Sequence, residues 1–248
     1  MIRRVGSILL FAAMVCASVT WAGCGRRQVR TREEVLVVLF DTSGSTQVAR
    51  DKYLQDFRKA LDEYRDHKNR LIILGDVITD NTLATAEYRI DACVEEDKGW
   101  LGNPMKRNME RNKAVAQAKD ALKLVFPHSD IMTGLQLAEK VFAGHRNAVD
   151  KRLIIFSDMI EQSSRYNFYS EKFTPDRIRQ IINKEREDLR LPCLPGVKVW
   201  CAGVGVARKP GLSSTQMRRF QEFWMEYLRA CKAEADPSHY AARLINFD

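Results

Sequence analysis

The residues of this chain with the most chemical potential are oxygen donors. Asp41-Thr42-Ser43-Gly44-Ser45-Thr46 delivers a carboxylate and two hydroxyls at alternate positions, with Gly44 letting the backbone turn tightly between them. Ser129 and Asp130 begin a second polar stretch, and Asp158 closes a third. Such groups can act as oxygen ligands, as nucleophiles or as helix caps. Nitrogen and sulfur chemistry has less support: His67, His128, His145 and His239 are scattered and no CxxC pair occurs, which argues against zinc. A P-loop is excluded because no GxxxxGK[ST] is present. A hydrolytic Ser-His-Asp set lacks a His at a strand end, His128 beside Ser129 being the nearest candidate.

The elements that must position these residues read as alternating strands and helices. Val35 to Phe40 is an unbroken apolar run, as expected of a strand buried on both faces. Leu71 to Leu74, extending toward Thr79, predicts a second strand, and Tyr88 to Val94 a more polar third at a sheet edge. Leu153 to Phe156 and Val197 to Val204 predict two more, and Arg243 to Phe247 a short last one. Between them, Leu54, Phe57, Leu61 and Tyr64 recur at helical spacing. A basic helix is predicted from about Arg107 with Val115, Ala118, Leu122 and Val125 inward and a solvated basic face, and another after Ser129 with Leu135, Ala138 and Val141 inward. Thr174-Pro175 and Ser213 carry the N-terminal signatures of two further helices. This is the pattern of a doubly wound α/β domain: a mostly parallel six-stranded sheet with helices on both faces and one antiparallel edge strand. In such sheets ligands bind outside the carboxyl ends of the strands, where Asp41 and Asp158 stand.

Asp41-x-Ser43-x-Ser45 after an apolar first strand resembles the DxSxS signature of von Willebrand factor A-type domains, and Phe156-Ser157-Asp158 is similar to their third metal-site loop. Ser129 stands where the family has Thr, five residues before Gly134. The resemblance spans residues 34 to about 235 and implies a Rossmann-like fold with a metal-ion-dependent adhesion site for Mg2+ or Mn2+. By the resemblance, Ser43 and Ser45 bind directly, Ser129 directly or through water, and Asp41 and Asp158 largely through water. A cation with few anionic ligands keeps most of its charge and attracts an acidic side chain from a partner protein. Ser in place of Thr loses the methyl that restricts the hydroxyl, which lowers the expected affinity. Asp130 is either an additional ligand or a cap. Haloacid-dehalogenase-type phosphatases require a second Asp two residues after the first, where this chain has Ser43, so a metal-assisted phosphatase is the weaker alternative.

The N-terminus sets the compartment. Arg3 and Arg4 precede an apolar run, and Ala22-Gly23-Cys24 resembles a bacterial lipobox, with Trp21 departing from the usual aliphatic residue. The expected organisation is a lipoprotein signal peptide over residues 1–23, a lipidated Cys24 with a basic tether over 24–33, and the folded domain over 34–248. Gly25 after the cysteine resembles an outer-membrane address if the cell is Gram-negative, so the expected location is the bacterial envelope. The formal charge of +8 shrinks accordingly, since two arginines leave with the signal and Arg26, Arg27, Arg30 and Arg32 sit on the tether. From Glu33 onward 34 basic residues face 32 acidic ones, so the excess describes attachment to an anionic membrane more than recognition by the domain. Cys93, Cys193, Cys201 and Cys231 allow three pairings or buried free thiols.

After Asp158 the chain runs through Arg165, Tyr166, Phe168 and Tyr169, recognition-type residues on the presumed ligand side, and Arg165, Tyr166 and Phe168 are the expected partner contacts. Packing of Phe168 and Tyr169 over the next helix is the alternative. An exported chain without an aromatic platform gives no basis for nucleic-acid binding. The expectation is a non-enzymatic envelope lipoprotein that binds a protein ligand through a divalent cation, with a metal-independent scaffold as the rival.

Overall fold

The computed structural model describes residues 32–64, 68–206 and 212–247, with nothing described of the Leu101 side chain. Thr31–Asp248 forms one compact unit. The signal segment, Cys24, Arg26, Arg27 and Arg30 lie outside the described residues.

Six strands form one sheet in the order β3-β2-β1-β4-β5-β6. They are β1 Glu33–Asp41, β2 Arg70–Ile78, β3 Ile90–Val94, β4 Asp150–Phe156, β5 Lys198–Ala202 and β6 Glu234–Ala241. All neighbours are parallel except β2 and β3, which places the antiparallel strand at one edge as expected. In β1 the apolar side chains alternate between two cores. Val35, Val37 and Leu39 join one with helices α3 (Ile131–Gly144), α4 (Pro175–Glu187) and α5 (Ser214–Ala230). Leu36, Val38 and Phe40 join the other with α1 (Arg50–Glu63) and α2 (Pro104–Ala121). A strand covered on both faces has no polar side, which is why its sequence reads as a continuous apolar run.

Four expectations are corrected. The last strand is Glu234–Ala241, not Arg243 to Phe247. Residues 243–247 fold back instead, with Leu244 and Phe247 entering the second core, the Trp200 indole donating to the Asn246 carbonyl at 3.0 Å and Arg152 donating to the Phe247 carbonyl. The helix expected from Arg107 begins at Pro104, because Asn103 accepts from the Lys106 amide at 3.0 Å and proline suits the first turn. Its basic face is not simply solvated: Arg107 and Arg111 are buried, Arg107 against Asp97 at 3.0 Å and Arg111 donating to the Tyr64 carbonyl at 3.0 Å. Val125, expected inward, follows the end of that helix and is exposed. The four described cysteines are free thiols, Cys201 and Cys231 being buried.

Two buried carboxyls fix peripheral segments. Asp56 on α1 accepts from Arg243 Nε at 2.9 Å and from the Leu244 amide at 3.0 Å, which clamps the C-terminal segment. Removing it leaves the buried Leu244 amide without a partner, the exposed Arg243 being free to bond water, so Asp56→Ala lowers stability by about 1–3 kcal/mol; a urea midpoint unchanged from the parent would contradict this.

Glu161 is fully buried and accepts from the Ile131 and Met132 amides at 2.8 and 3.2 Å, covering the start of α3. Burial, then the charge of Asp130, pushes its carboxyl up to about 8 against the hydrogen bonds it receives. A carboxyl raised in the folded state holds its proton longer folded than unfolded, so stability falls as pH climbs from about 4.3 toward that value. The expected result in chelator is a thermal midpoint that declines across this window in the parent and is flatter in Glu161→Gln, and equal slopes would refute it.

Candidate functional site

Strand register assembles the site. Phe40 of β1 lies beside Phe156 of β4, and the two rings stack with centroids 5.0 Å apart. The next residues, Asp41 and Ser157, therefore emerge side by side at the carboxyl ends of neighbouring strands. The Ser157 hydroxyl donates to Asp41 Oδ2 at 2.7 Å and accepts from the Met159 amide at 2.9 Å. Asp41 Oδ1 accepts from the Ser43 amide at 2.9 Å and from the Ser129 hydroxyl at 2.9 Å. One fully buried carboxylate thus receives a donor from each of three loops. A buried charge is stable only when hydrogen-bonded, and here both oxygens are.

The hydroxyls of Ser43 and Ser45 lie 3.0 Å apart, and neither caps the helix that follows, so the capping explanation of this loop does not hold for them. Thr46 turns inward, donating to the carbonyls of Asp41 and Ser43 at 2.7 and 3.0 Å. The Arg50 guanidinium reaches the carbonyls of Thr42 at 2.6 Å, Leu122 at 2.8 Å and Leu124 at 2.9 Å, tying the loop to the end of α2. Burial lowers its pKa, with the charge of Asp41 opposing. These protein groups brace the shape of the loop.

Asp158 is buried beside this cluster and accepts from the Ile160 amide at 3.1 Å. Its charge and that of Asp41 act on the same two phenols, Tyr53 and Tyr169, which places both carboxylates at one site. Both phenols are raised first by burial, Tyr169 up to about 12. Ser43, Gly44, Ser45, Pro127, Ser129, Ile160, Gln162 and Tyr169 line an open pocket of about 370 Å³. Asp130 takes the capping role, its carboxylate accepting from the Thr133 amide at 3.0 Å and facing Arg165 at 3.5 Å.

Of the expected partner contacts, Tyr166 and Phe168 are buried, whereas Arg165 keeps part of its side chain at the surface. Phe168 is fully buried, with ring centroids 4.6 Å from Phe173 and 4.9 Å from Phe223. Tyr166 donates to Glu185 Oε1 at 2.8 Å, and Arg165 bonds the same buried carboxylate at 2.9 Å and the Thr133 hydroxyl at 3.1 Å. Arg190 holds the same buried carboxylate at 3.0 Å, so Glu185 draws three side chains inward. What they hold outward is Gln162, paired through its backbone with Ser129 at 2.9 and 3.1 Å, and Tyr169, hydrogen-bonded to Ser45. Ser157 and Gln162 are thus residues of this pocket region that the sequence reading did not single out, whereas Tyr169 was read there among the recognition-type residues. Ser157 sits in the quoted Phe156-Ser157-Asp158, and Gln162 had no local signal.

The donor set fits a hard cation. Among the described residues no three His, Cys, Asp or Glu side chains converge on a metal-sized position, so a cation here would rest on hydroxyl oxygens and not on a carboxylate, imidazole or thiolate cluster. The Ser43 and Ser45 hydroxyls are hydrogen-bonded to each other at 3.0 Å, a separation that is also the edge of an octahedron with ligands at about 2.1 Å.

No protein-family model matches the chain, and no curated protein does. Solved structures do. A von Willebrand factor type A protein from Catenulispora acidiphila is 15% identical over 84% of this chain and 40% of its own, with a TM-score of 0.46. The pilus adhesin SpaC from Lactobacillus rhamnosus GG is 11% identical over 89% of this chain and 29% of its own, at 0.49. The manganese-loaded TRAP protein of Plasmodium vivax is 14% identical over 77% and 63%, at 0.35. The chain spans less than two thirds of the length of each of these. At such scores the fold is read from this chain's own strand order: a six-stranded mixed sheet, doubly wound as the von Willebrand A resemblance implies.

Proposed function

We propose that this chain is a membrane-anchored envelope lipoprotein whose domain binds an acidic side chain of a partner protein through a divalent cation, Mg2+ or Mn2+. The observation that carries the reading is the convergence of three loops on the Asp41 carboxylate, which gathers Ser43, Ser45 and Ser129 around one pocket. In this reading Ser43 and Ser45 hold the cation, Ser129 completes the hydroxyl set, and Asp41 and Asp158 supply the negative charge behind it. The cation, when bound, supplies an open position that a ligand carboxylate can fill. The chain's own residues do the rest. Asp41 orients Ser129 by accepting its hydrogen bond, Ser157 and Arg50 keep the loops in register, and Tyr169 and Gln162 border the approach from the pocket side. With no second carboxylate two residues after Asp41, the site is read as one for binding and not for turnover.

One observation favours the metal-independent alternative: the Tyr169 phenol bonds Ser45, so one of the two paired hydroxyls already has a protein partner. The two readings separate on metal linkage. A cation at 100 times its Kd raises stability by about 2.7 kcal/mol. In a domain of this size that is a rise of roughly 5–11 °C in thermal midpoint. Mg2+ or Mn2+ added to the chain from residue 25 is expected to give a rise of this kind, strongly reduced in Ser43→Ala and abolished in Asp41→Ala. No rise, or an unchanged rise in both variants, would leave only the scaffold reading. Attachment has its own check: the native protein partitions into detergent and Cys24→Ser does not, whereas a wild-type protein found wholly in the aqueous phase would refute lipidation.

A further inference from the structure

Cys93, Cys193, Cys201 and Cys231 are thiols in the structure, and the fold decides which of them can meet. Cys93 is on β3 and Cys201 on β5. Strands β2, β1 and β4 lie between them, so at about 4.8 Å per strand they stand roughly 19 Å apart, too far to be bridged. Cys201 faces Tyr240 of β6, about 10 Å along β5 from Lys198, and so stands away from the segment that precedes the strand.

Cys193 and Cys231 are placed differently. The Leu194 amide donates to the Cys231 carbonyl at 2.7 Å, and the Glu234 amide to the Val197 carbonyl at 2.8 Å, so the segment before β5 runs beside the segment after α5. Peptide bonds among the described residues are trans, which sets the Cα before an amide alongside its N–H, and the first of these bonds therefore brings the two cysteine Cα atoms within roughly 6 Å. Disulfides span about 4.4–6.8 Å between Cα atoms. A shared neighbour relates the side chains as well. Glu139 of α3 accepts from the Cys193 amide at 2.9 Å. The Cys231 thiol is pushed up first by burial and then by the charges of Glu139 and Cys193, so both act on its sulfur. Access differs between the two thiols: Cys231 is fully buried, whereas Cys193 is exposed and lines a surface pocket of about 420 Å³ with Glu139, Arg146 and Lys151.

We propose that Cys193 and Cys231 form the one disulfide this fold admits, leaving Cys93 and Cys201 as thiols. The three pairings open to four cysteines thereby reduce to a single bond, which closes the loop carrying β5 and α5 and staples the approach to β5 onto the end of α5. The oxidant is a small disulfide of the glutathione class. The Cys193 thiolate attacks it, its S–S bond breaks, and the first glutathione leaves with the proton that Cys193 gave up. The Cys231 sulfur then displaces the second glutathione from Cys193, and the Cys231 proton goes to that leaving thiolate. The protein loses two electrons and the oxidant gains them as two thiols. Because the second step needs Cys231 deprotonated, and burial opposes this, it runs fastest while the end of α5 is still undocked, which is during folding. The pairing stands apart from the cation and lipid readings, and the envelope reading adds only an oxidising setting.

The test refolds the chain from residue 25, which contains the compact unit Thr31–Asp248 and these four cysteines, from the reduced and denatured state in a glutathione redox buffer. Alkylation under denaturing conditions is expected to find two thiols, and peptide mapping without reductant to join Cys193 to Cys231. The oxidised protein should melt roughly 5–15 °C above its reduced form, a difference that Cys193→Ser should lack. Four alkylated thiols would overturn the inference, as would a different pair within the chain or Cys193 joined to a second copy. Glutathione retained on Cys193 would show that Cys231 does not reach it, and equal midpoints for the oxidised and reduced forms would show that the bond staples nothing; either result would overturn it too.

Discussion

Everything at the carboxyl end of this sheet depends on one buried carboxylate. Asp41 sits where a charge is costly unless every lone pair is used, and the chain answers with an amide from its own loop and hydroxyls from two others. The requirement works in both directions. The loops satisfy the charge, and the charge holds the loops together, so Ser43, Ser45 and Ser129 face one pocket before any ligand arrives. Such preorganisation lowers what a cation or a partner must spend in ordering the site.

The same logic explains the segment after Asp158. Glu161 and Glu185 are both fully buried, and each draws neighbours inward: the first two amides of α3 for one, Arg165 and Tyr166 for the other. Phe168 adds an aromatic anchor. These are struts, and they stiffen a loop whose outward-facing members are Gln162 and Tyr169. A loop with this many internal bonds presents its polar groups on a fixed platform, which is how binding residues are held when they do not lie on a strand or helix.

How much of this was legible in the sequence depended on whether a residue's role was local. The strands β1, β2 and β4 were plain because burial on both faces leaves no polar positions, and the caps at Thr174 and Ser213 were plain because capping acts within four residues. The last strand was not legible: Glu234–Ala241 is polar, mostly exposed and contains Pro237, so it carries no apolar run, which suits an edge strand. Leu244 and Phe247 mimicked a strand because they are core residues of a segment that folds back. At the site, Asp41, Ser43 and Ser45 could be read from spacing within one loop. The burial of Tyr166 and Phe168 was not legible because their partners lie on another helix or in another aromatic cluster, at separations no local pattern reveals. Ser157 was hidden in the same way, since its role comes from the register of β1 against β4.

The central claim is that the hydroxyls around Asp41 hold a divalent cation. The most direct measurement is anomalous diffraction from crystals of the chain grown with Mn2+. One strong peak is expected at the pocket, within bonding distance of the Ser43 and Ser45 hydroxyls, with its loss in crystals of Ser43→Ala. A structure with the same loop geometry and no peak there, at a Mn2+ concentration that saturates any linked rise in stability, would contradict it.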